Sequence, residues 1–250
     1  MKSKISTVII TFNEENNIKD CLESLKWADE VILVDAFSSD KTIQIAKDYT
    51  DKIFQKEWQG YSEQRNFGLS QARNEWVLFL DADERMSDAL ALEIREIIQD
   101  NNGLYNGYYI LRQSFYLGRW IKHGEWYPDL KLRLIKKDRA IWSGPSVHEK
   151  LILNGKAGYL KNPIYHYTYR DITHHLEKFN HYSTLFAQDA FIKGEKVRLN
   201  QLLFKPFIRF IRSYFFKLGL RDGFAGFVIA FMQALEVFLR YAKLKELNKT

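Results

Sequence analysis

The sequence contains very little cysteine, with Cys21 alone among 250 residues. A single cysteine excludes an intrachain disulfide, so a reducing compartment is expected. The opening stretch MKSKISTVIITFNEE has an apolar run too short for a secretory signal peptide, and it ends in acidic residues. We therefore expect a cytoplasmic protein. Cys21 lies in a stretch with amphipathic helical spacing, which is typical of a packed small hydrophobic side chain.

Two common phosphate-binding motifs are also absent from the sequence. No G-x-G-x-x-G follows the first predicted strand, and no G-x-x-x-x-G-K-[ST] occurs anywhere. Their absence removes the usual signals of a dinucleotide-binding fold and of a P-loop. A bound phosphate would then be held by a metal ion and by basic side chains. Arg65 is a candidate for this role, and a surface arginine is the alternative.

Apolar and basic side chains are plentiful. Hydrophobic residues make up 46% of the chain, enough for a sizeable core. The net charge of +6 indicates an anionic partner: nucleic acid, a phosphorylated ligand or a lipid surface. The basic residues concentrate in an apolar C-terminal region and no nucleic-acid-binding motif is present, so we expect no nucleic-acid partner.

The first hundred residues alternate between strand and helix patterns. Apolar runs within 6–12, 30–37 and 76–84 predict strands, and DKIFQKEW at 51–58 predicts a short strand between them. Residues 13–28, 38–49, 62–73 and 88–99 predict helices. This order predicts an α/β fold with a mostly parallel sheet covered on both faces. Residues 104–170 alternate apolar and polar and predict mixed or antiparallel strands, followed by a helix over 171–195.

Acidic residues follow two of the predicted strands. Asp35 ends one strand, and Asp81 and Asp83 end the run WVLFLDADE. Because open parallel sheets bind ligands at the carboxyl ends of their strands, these acids are candidates to bind hydroxyl groups or a hard cation such as Mg²⁺ or Mn²⁺. Turn and helix-cap residues are the alternative for each aspartate alone.

The C-terminal segment interleaves basic with aromatic residues. Lys205, Arg209, Arg212 and Lys217 alternate with phenylalanines and isoleucines, and GFAGFVIAFMQALEVFL lies at the short limit for a bilayer span of about 20 residues. We expect residues 200–245 to lie in the interface of an anionic membrane. Packing on the catalytic domain or a dimer interface is the alternative.

Four segments carry a family resemblance. TFNEENNI, VDAFSSDKT, SEQRNFGL and FLDADE resemble family 2 glycosyltransferases of the GT-A fold. PDLKLRLIKKDRAIWSGPSVHEKL and LRDGFAGFVIA resemble the bacterial lipopolysaccharide-core branch, of the β-1,4-glucosyltransferase type. The resemblance implies a Rossmann-like, mostly parallel sheet with a C-terminal helical extension. It also implies a catalytic domain over 1–195, with a nucleotide-sugar half at 1–100 and an acceptor half at 101–195. The pattern of apolar and basic residues adds an amphipathic helical membrane-association segment over 196–250.

The resemblance also implies roles for matching residues. Asp35 would bind the uracil or ribose and Arg65 the nucleotide or diphosphate, while Asp81 and Asp83 form the D-x-D motif, with Asp83 the direct metal ligand. The strand-one loop that contacts the base would contain Thr11, Phe12 and Asn13. One departure concerns Ala36 and Phe37, where the family usually has Ser-Gly, because the loss of glycine removes easy access to positive φ.

The resemblance implies an inverting transferase, which needs a base on the acceptor side. In the enzymes that the chain resembles, the VHE segment lies on that side, so Glu149 of VHEKL is the candidate. His148 is a third metal ligand or a diphosphate contact, or else a packed histidine. Arg133 contacts the diphosphate or an acceptor phosphate, or lies at a strand edge. Trp142, like Trp126, is a sugar platform or a core residue.

The resemblance thus implies an inverting, Mn²⁺- or Mg²⁺-dependent transferase. It also implies the donor and the acceptor: the expected donor is a UDP-hexose, foremost UDP-glucose, and the expected acceptor is a lipid-linked glycan, foremost a heptose of the lipopolysaccharide inner core. Such a protein would lie on the inner face of the cytoplasmic membrane. The alternatives are a transferase for capsule or another lipid-linked glycan, and a non-catalytic nucleotide-binding protein at the membrane.

Overall fold

The computed structural model describes residues 3–100, 103–144 and 150–249. The chain forms two compact units, one of residues 1–112 and 129–166 and one of residues 113–128 and 167–250. The helix that begins after residue 171 therefore groups with the C-terminal helices. The functional division at residue 195 stays a prediction, and it does not coincide with this structural boundary.

Strands and helices alternate first, and longer helices follow at the C-terminal end. In chain order the elements are β1 (Ile5–Thr11), α1 (Ile18–Glu23), β2 (Glu30–Asp35), α2 (Thr42–Ala46), β3 (Ile53–Gln55), α3 (Tyr61–Gln71), β4 (Trp76–Asp81), β5 (Glu84–Met86), α4 (Asp88–Gln99), β6 (Gly107–Tyr116), β7 (Arg119–Trp120), β8 (Leu130–Lys136), β9 (Ala140–Ser143), β10 (Lys150–Leu153), β11 (Ala157–Tyr159), β12 (Ile164–His166), α5 (Ile172–Ile192), α6 (Leu199–Ile211) and α7 (Gly223–Leu247).

The main sheet has the strand order β3-β2-β1-β4-β8-β6-β12-β5. β3, β2, β1 and β4 are parallel, and β8 is antiparallel to both β4 and β6. The α/β class with C-terminal helices, implied by the resemblance, is therefore confirmed. The predicted change to mixed pairing beyond residue 104 is confirmed as well.

The register of β1 determines which residues share an edge of the sheet. Thr11 pairs with Asp35 of β2, and Ile10 pairs with Asp81 of β4. β1 lies between these two strands, so both aspartates lie at its carboxyl end. This is the edge at which parallel sheets bind ligands.

Buried side chains on both faces of the sheet explain why β1, β2 and β4 are apolar throughout. Alternate residues of each strand point to opposite faces. One face packs on α1 and α4 and includes Ile9, Leu33 and Leu80. The other face includes Val8 and Phe79 and packs on α3 and β9. Strands covered on both sides need no polar alternation.

Two helices are shorter than the sequence predicts. The predictions covered 13–28 and 38–49, whereas α1 and α2 span only Ile18–Glu23 and Thr42–Ala46. The backbone N–H groups of Asn13, Glu14 and Glu15 donate to side-chain oxygens of Ser38, Thr42 and Asp40 at 2.8–3.0 Å. Polar side chains here bind backbone groups outside a helix, and they join the loops after β1 and β2.

The second unit is built around α5 and α7. Tyr116, Phe179, Ile229 and Met232 belong to its main buried cluster. Gly226 of α7 allows a close approach, since a Cβ there would lie 1.9 Å from the carbonyl oxygen of Gly219. The predicted helix over 171–195 is confirmed as α5. Among the described residues, one stretch, Gly219–Leu247, is long and apolar enough to cross a membrane, a weak indication because 44% of its most apolar window is buried.

Candidate functional site

The first component of the site is the fully buried carboxylate of Asp35 at the end of β2. It accepts hydrogen bonds from the Thr11 hydroxyl (3.0 Å) and from the Ser38 backbone N–H (2.8 Å) and hydroxyl (2.5 Å). These bonds tie the loop after β2 to the end of β1. A carboxylate has about four acceptor positions, so most of those of Asp35 are occupied by the hydrogen bonds that hold this loop.

The two loops beside Asp35 present exposed aromatic rings. Phe12 is 57% exposed and Phe37 is 53% exposed. Asn13 and Phe37 both have left-handed backbone, with φ of 55° and 61°. Phe37 stands where the family usually has glycine, and it keeps the positive φ that glycine would adopt without strain. The departure in sequence therefore leaves the left-handed backbone in place.

The second component is the carboxylate of Asp81, which ends β4. Its Oδ1 lies 2.7 Å from a guanidinium nitrogen of Arg65, and its Oδ2 lies 2.5 Å from one of Arg133. Burial favours a higher pKa for Asp81, but the two guanidinium groups outweigh it and hold the pKa well below its usual range. Asp81 is therefore ionised and held by two arginines.

Glu84 is the buried partner of this arrangement. It accepts a hydrogen bond from the Asp81 backbone N–H (2.9 Å) and one from Arg133 (2.7 Å), and Arg112 lies 3.5 Å away. Burial raises the pKa of Glu84 although Arg133 opposes the shift, and the negative charge of Asp81 adds to it. Glu84, which the sequence analysis did not select, thus joins β4, β8 and β6 beneath the site.

Asp83 lies in the turn between β4 and β5, with an oxygen 3.4 Å from Nε2 of His166. His166 ends β12, which pairs with β5 so that His166 is opposite Glu84. The sequence analysis missed His166, because its position depends on an antiparallel register between distant segments. Within residues 3–100, 103–144 and 150–249, no group of three or more His, Cys, Asp or Glu side chains is arranged to hold a metal ion.

The remaining arginine and tryptophan candidates are buried. Arg65 is 6% and Arg133 is 4% exposed, so neither is the surface or edge arginine of the alternatives. Trp142 is 8% exposed and packs edge-on against Phe79, while the Arg65 guanidinium lies 4.5 Å from its ring centre. The buried indole thus packs beside Arg65 as a core residue, which is the second of the two alternatives given for it.

The predicted base and the predicted third metal ligand lie outside the described residues. Glu149 and His148 fall between β9 and β10, which pair antiparallel from Ser143 and Lys150. Their roles stay predictions.

Comparison with known proteins assigns the family. The family model described as glycosyl transferase family 2 matches residues 6–153. The chain belongs to glycosyltransferase family 2. This glycosyltransferase is 36% identical to an uncharacterized glycosyltransferase of Rickettsia typhi over 257 residues, covering 98% of this chain and 88% of that protein. It is 30% identical to the lipopolysaccharide core biosynthesis glycosyltransferase LpsC of Rhizobium meliloti, covering 97% of this chain and 92% of LpsC.

A distant likeness to a solved structure accompanies these matches. The S. aureus TarS 1–349 structure in complex with UDP-GlcNAc is 19% identical, with a TM-score of 0.48, over 98% of this chain and 88% of that chain. The predicted transferase class and the predicted likeness to the lipopolysaccharide-core branch are confirmed by the family match and by the relation to LpsC.

Proposed function

We propose that this glycosyltransferase transfers a hexose from a UDP-hexose, foremost glucose, to the lipopolysaccharide inner core, with a heptose as the acceptor residue. The observation that carries the proposal is the similarity to LpsC along nearly the whole of both chains. The arginine-bound Asp81 beside Asp35, at the ligand-binding edge of the sheet, supports a nucleotide diphosphate as the donor's leaving group.

The proposed donor site uses the residues at this edge. Phe12 and Asn13 contact the base and ribose on loops that the buried Asp35 and Thr11 hold in position, and the Arg65 guanidinium faces the diphosphate from beside Asp81. Exposed rings such as that of Phe12 are suited to stacking on a flat base. Arg133 keeps Asp81 ionised and in place, which gives it a supporting role in the proposal.

A divalent cation, Mg²⁺ or Mn²⁺, fits the oxygen donors at the turn. Asp83 is the residue that would hold it, because both oxygens of Asp81 already accept from arginines. Such an ion supplies Lewis-acid stabilisation of the diphosphate. Glu149 would take the proton from the acceptor hydroxyl, on the opposite side of the anomeric carbon, in a single inverting displacement.

The membrane is the proposed location of the acceptor. In the second unit the exposed faces of α6 and α7 carry large apolar side chains, among them Phe204, Phe207, Phe224 and Phe231, each between 54% and 69% exposed. Basic residues lie between them in the sequence. Such a surface suits peripheral binding to the anionic inner face of the cytoplasmic membrane, where a lipid-linked glycan would be presented.

Nucleotide calorimetry tests the donor class. Titration with UDP, GDP, ADP and UDP-glucose, with and without Mn²⁺ or Mg²⁺, should show binding that is selective for uridine and strengthened by the metal. Absence of nucleotide binding under all these conditions would overturn the proposal. Binding of GDP or ADP in preference to UDP would show that the donor is a GDP- or ADP-sugar and not a UDP-hexose.

The Asp83→Ala variant tests the metal ligand. We expect the metal-dependent gain in UDP affinity to fall by about tenfold or more, equivalent to about 1.4 kcal/mol, since a cation loses its protein carboxylate. Asp48→Ala, which removes an exposed aspartate after α2, is the matched control and should leave the gain unchanged. An undiminished metal effect in Asp83→Ala would exclude Asp83 as the ligand.

A further inference from the structure

A cleft of about 350 Å³ lies among α5, α6 and α7 in the second unit. Its wall contains four cationic side chains, Lys205, Arg209, Arg212 and Arg240, together with the rings of Phe186 and Tyr241. None of these residues belongs to the candidate donor site. A concave surface that combines several cations with aromatic walls is suited to an anionic amphiphile.

The cations outnumber the carboxylates around this cleft. Glu125 lies 3.5 Å from Arg209 and 3.1 Å from Arg212, and Glu236 lies 2.5 Å from Arg240. Glu125 also pairs with Lys217. Among the described residues no carboxylate lies within ion-pair distance of Lys205, whose ammonium donates to the Tyr241 hydroxyl at 2.7 Å. The cleft therefore keeps a net positive charge.

The guanidinium groups of Arg209 and Arg240 can still accept a further anionic partner. Their side chains are 36% and 34% exposed, and each guanidinium has N–H donors beyond the ion pair that it makes with a glutamate. A phosphate offers several acceptor oxygens, and its bonds to guanidinium and ammonium groups are charge-assisted.

The surroundings of the cleft favour a phosphate that carries acyl chains. Ile208 and Val237 also line it. Phe204 and Phe207, which are close to Lys205 in the sequence of α6 but do not line the cleft, are 62% and 63% exposed. A free phosphate would make no favourable contact with these apolar side chains, whereas acyl chains would. We propose that the cleft binds the phosphate headgroup of an anionic phospholipid while α6 presents its aromatic rings to the acyl region. The inference rests on the proposed membrane association and assigns it a specific lipid-binding site.

Calorimetry with monomeric short-chain phosphatidic acid tests the cleft without a membrane, a nucleotide or turnover. Lys205→Gln should weaken binding by about tenfold, the loss of one charge-assisted contact. Lys205→Arg should restore most of the affinity. Lys245→Gln is the matched control: it removes the same charge from an exposed position on α7 outside the cleft, and should leave the affinity unchanged. Lys205 is itself exposed, so its replacement leaves the core intact.

Three results would overturn the inference. Equal weakening by Lys205→Gln and Lys245→Gln would indicate general surface charge. Inorganic phosphate that binds as tightly as phosphatidic acid would indicate a site for a free anion. Absence of binding to the unmodified protein would remove the site. Because donor binding is measured separately with UDP, failure of the lipid site and failure of the proposed transferase function are distinguishable.

Discussion

Phe37 combines an exposed ring with a strained backbone. Its φ of 61° is a conformation that glycine adopts freely, whereas a residue with a Cβ adopts it at a cost of about 1–2 kcal/mol. The loop keeps this conformation because the Ser38 backbone N–H and hydroxyl both donate hydrogen bonds to Asp35, which offset the strain. The strain is thus located beside the proposed base-binding surface.

Replacing Phe37 should separate the strain from the ring. We expect Phe37→Gly to raise the free energy of unfolding by about 1 kcal/mol relative to Phe37→Ala, because both lose the ring and only glycine relieves the backbone. Urea denaturation of both variants measures the difference. Equal stability of the two would show that the left-handed conformation carries no strain.

Glu149→Gln tests the proposed base. The amide keeps the size of the side chain and cannot accept the proton, so UDP-glucose affinity should persist while release of UDP in the presence of acceptor falls by about 10²–10⁴-fold. Calorimetry and a coupled UDP assay measure the two quantities on the same sample. Turnover at the normal rate in this variant would exclude Glu149 as the base.

Residue identities predicted the acidic edge of the sheet but not the network beneath it. Asp35 and Asp81 follow apolar strands, and that local pattern is sufficient to place them together. Arg112 and His166 reach the same place through antiparallel pairing of segments distant in sequence. Local sequence patterns contain no information on that pairing, so these two residues were not predictable. Glu84 is different, because it lies only three residues after Asp81 and accepts from its backbone N–H.

At the scale of single elements, a buried histidine in α5 makes the stability of the fold depend on pH. His175 is fully buried, shares a 2.7 Å hydrogen bond through Nδ1 with the Tyr116 hydroxyl and stacks on Tyr169 at 4.0 Å. Its Nε2 has no hydrogen-bond partner among the described residues. Burial, with smaller contributions from the charges of His174 and Lys178, lowers the pKa of His175 from 6.5 to about 4.

This shift makes stability fall as the pH falls from 6.5 to about 4. In that window the unfolded chain binds a proton that the folded chain excludes, so the free energy of unfolding decreases by up to about 1.4 kcal/mol per pH unit. His175→Phe should flatten this dependence. Tyr116→Phe, which removes the hydrogen bond but keeps the imidazole, should retain it; urea denaturation across the window measures both slopes.

Hydrogen bonds between side chains and the loop backbone explain why the first two helices, α1 and α2, are shorter than predicted. Apolar spacing extended the first helix back to residue 13, but Ser38, Asp40 and Thr42 supply side-chain acceptors for the backbone there. These acceptors come from a neighbouring loop that the apolar spacing does not reveal. α5, which has no such competitor, matches its predicted position within three residues at each end.

At the scale of the whole molecule, the C-terminal helices belong to a unit with its own core. α7 packs in the cluster that contains Tyr116 and Phe179, and Leu244 packs on Ala187 and Ala190 of α5. Removing residues 200–250 would therefore expose the core of the second unit as well as delete the proposed membrane surface. Point substitutions are the better test of membrane binding.

Exposed phenylalanines offer such a test. Phe204→Ser with Phe207→Ser should weaken binding to phosphatidylcholine–phosphatidylglycerol vesicles by tenfold or more, because each buried ring contributes about 1.5–3 kcal/mol. Leu92→Ser, which removes a 65% exposed side chain from α4 of the first unit, is the control and should bind normally. Vesicle co-flotation measures the bound fraction. Undiminished flotation of the double variant would contradict membrane docking through α6.

The burial of Cys21 has a practical consequence. The thiol is fully enclosed in the core below β1 and β4, and burial raises its pKa, so it is neither accessible nor ionised under native conditions. A cysteine introduced at an exposed position such as Phe204 or Leu92 would be the one thiol that maleimide reagents reach. A fluorophore or spin label could then be attached to either unit of the otherwise unaltered chain, and a label at Phe204 would measure directly whether α6 enters a bilayer, as proposed, and how deeply.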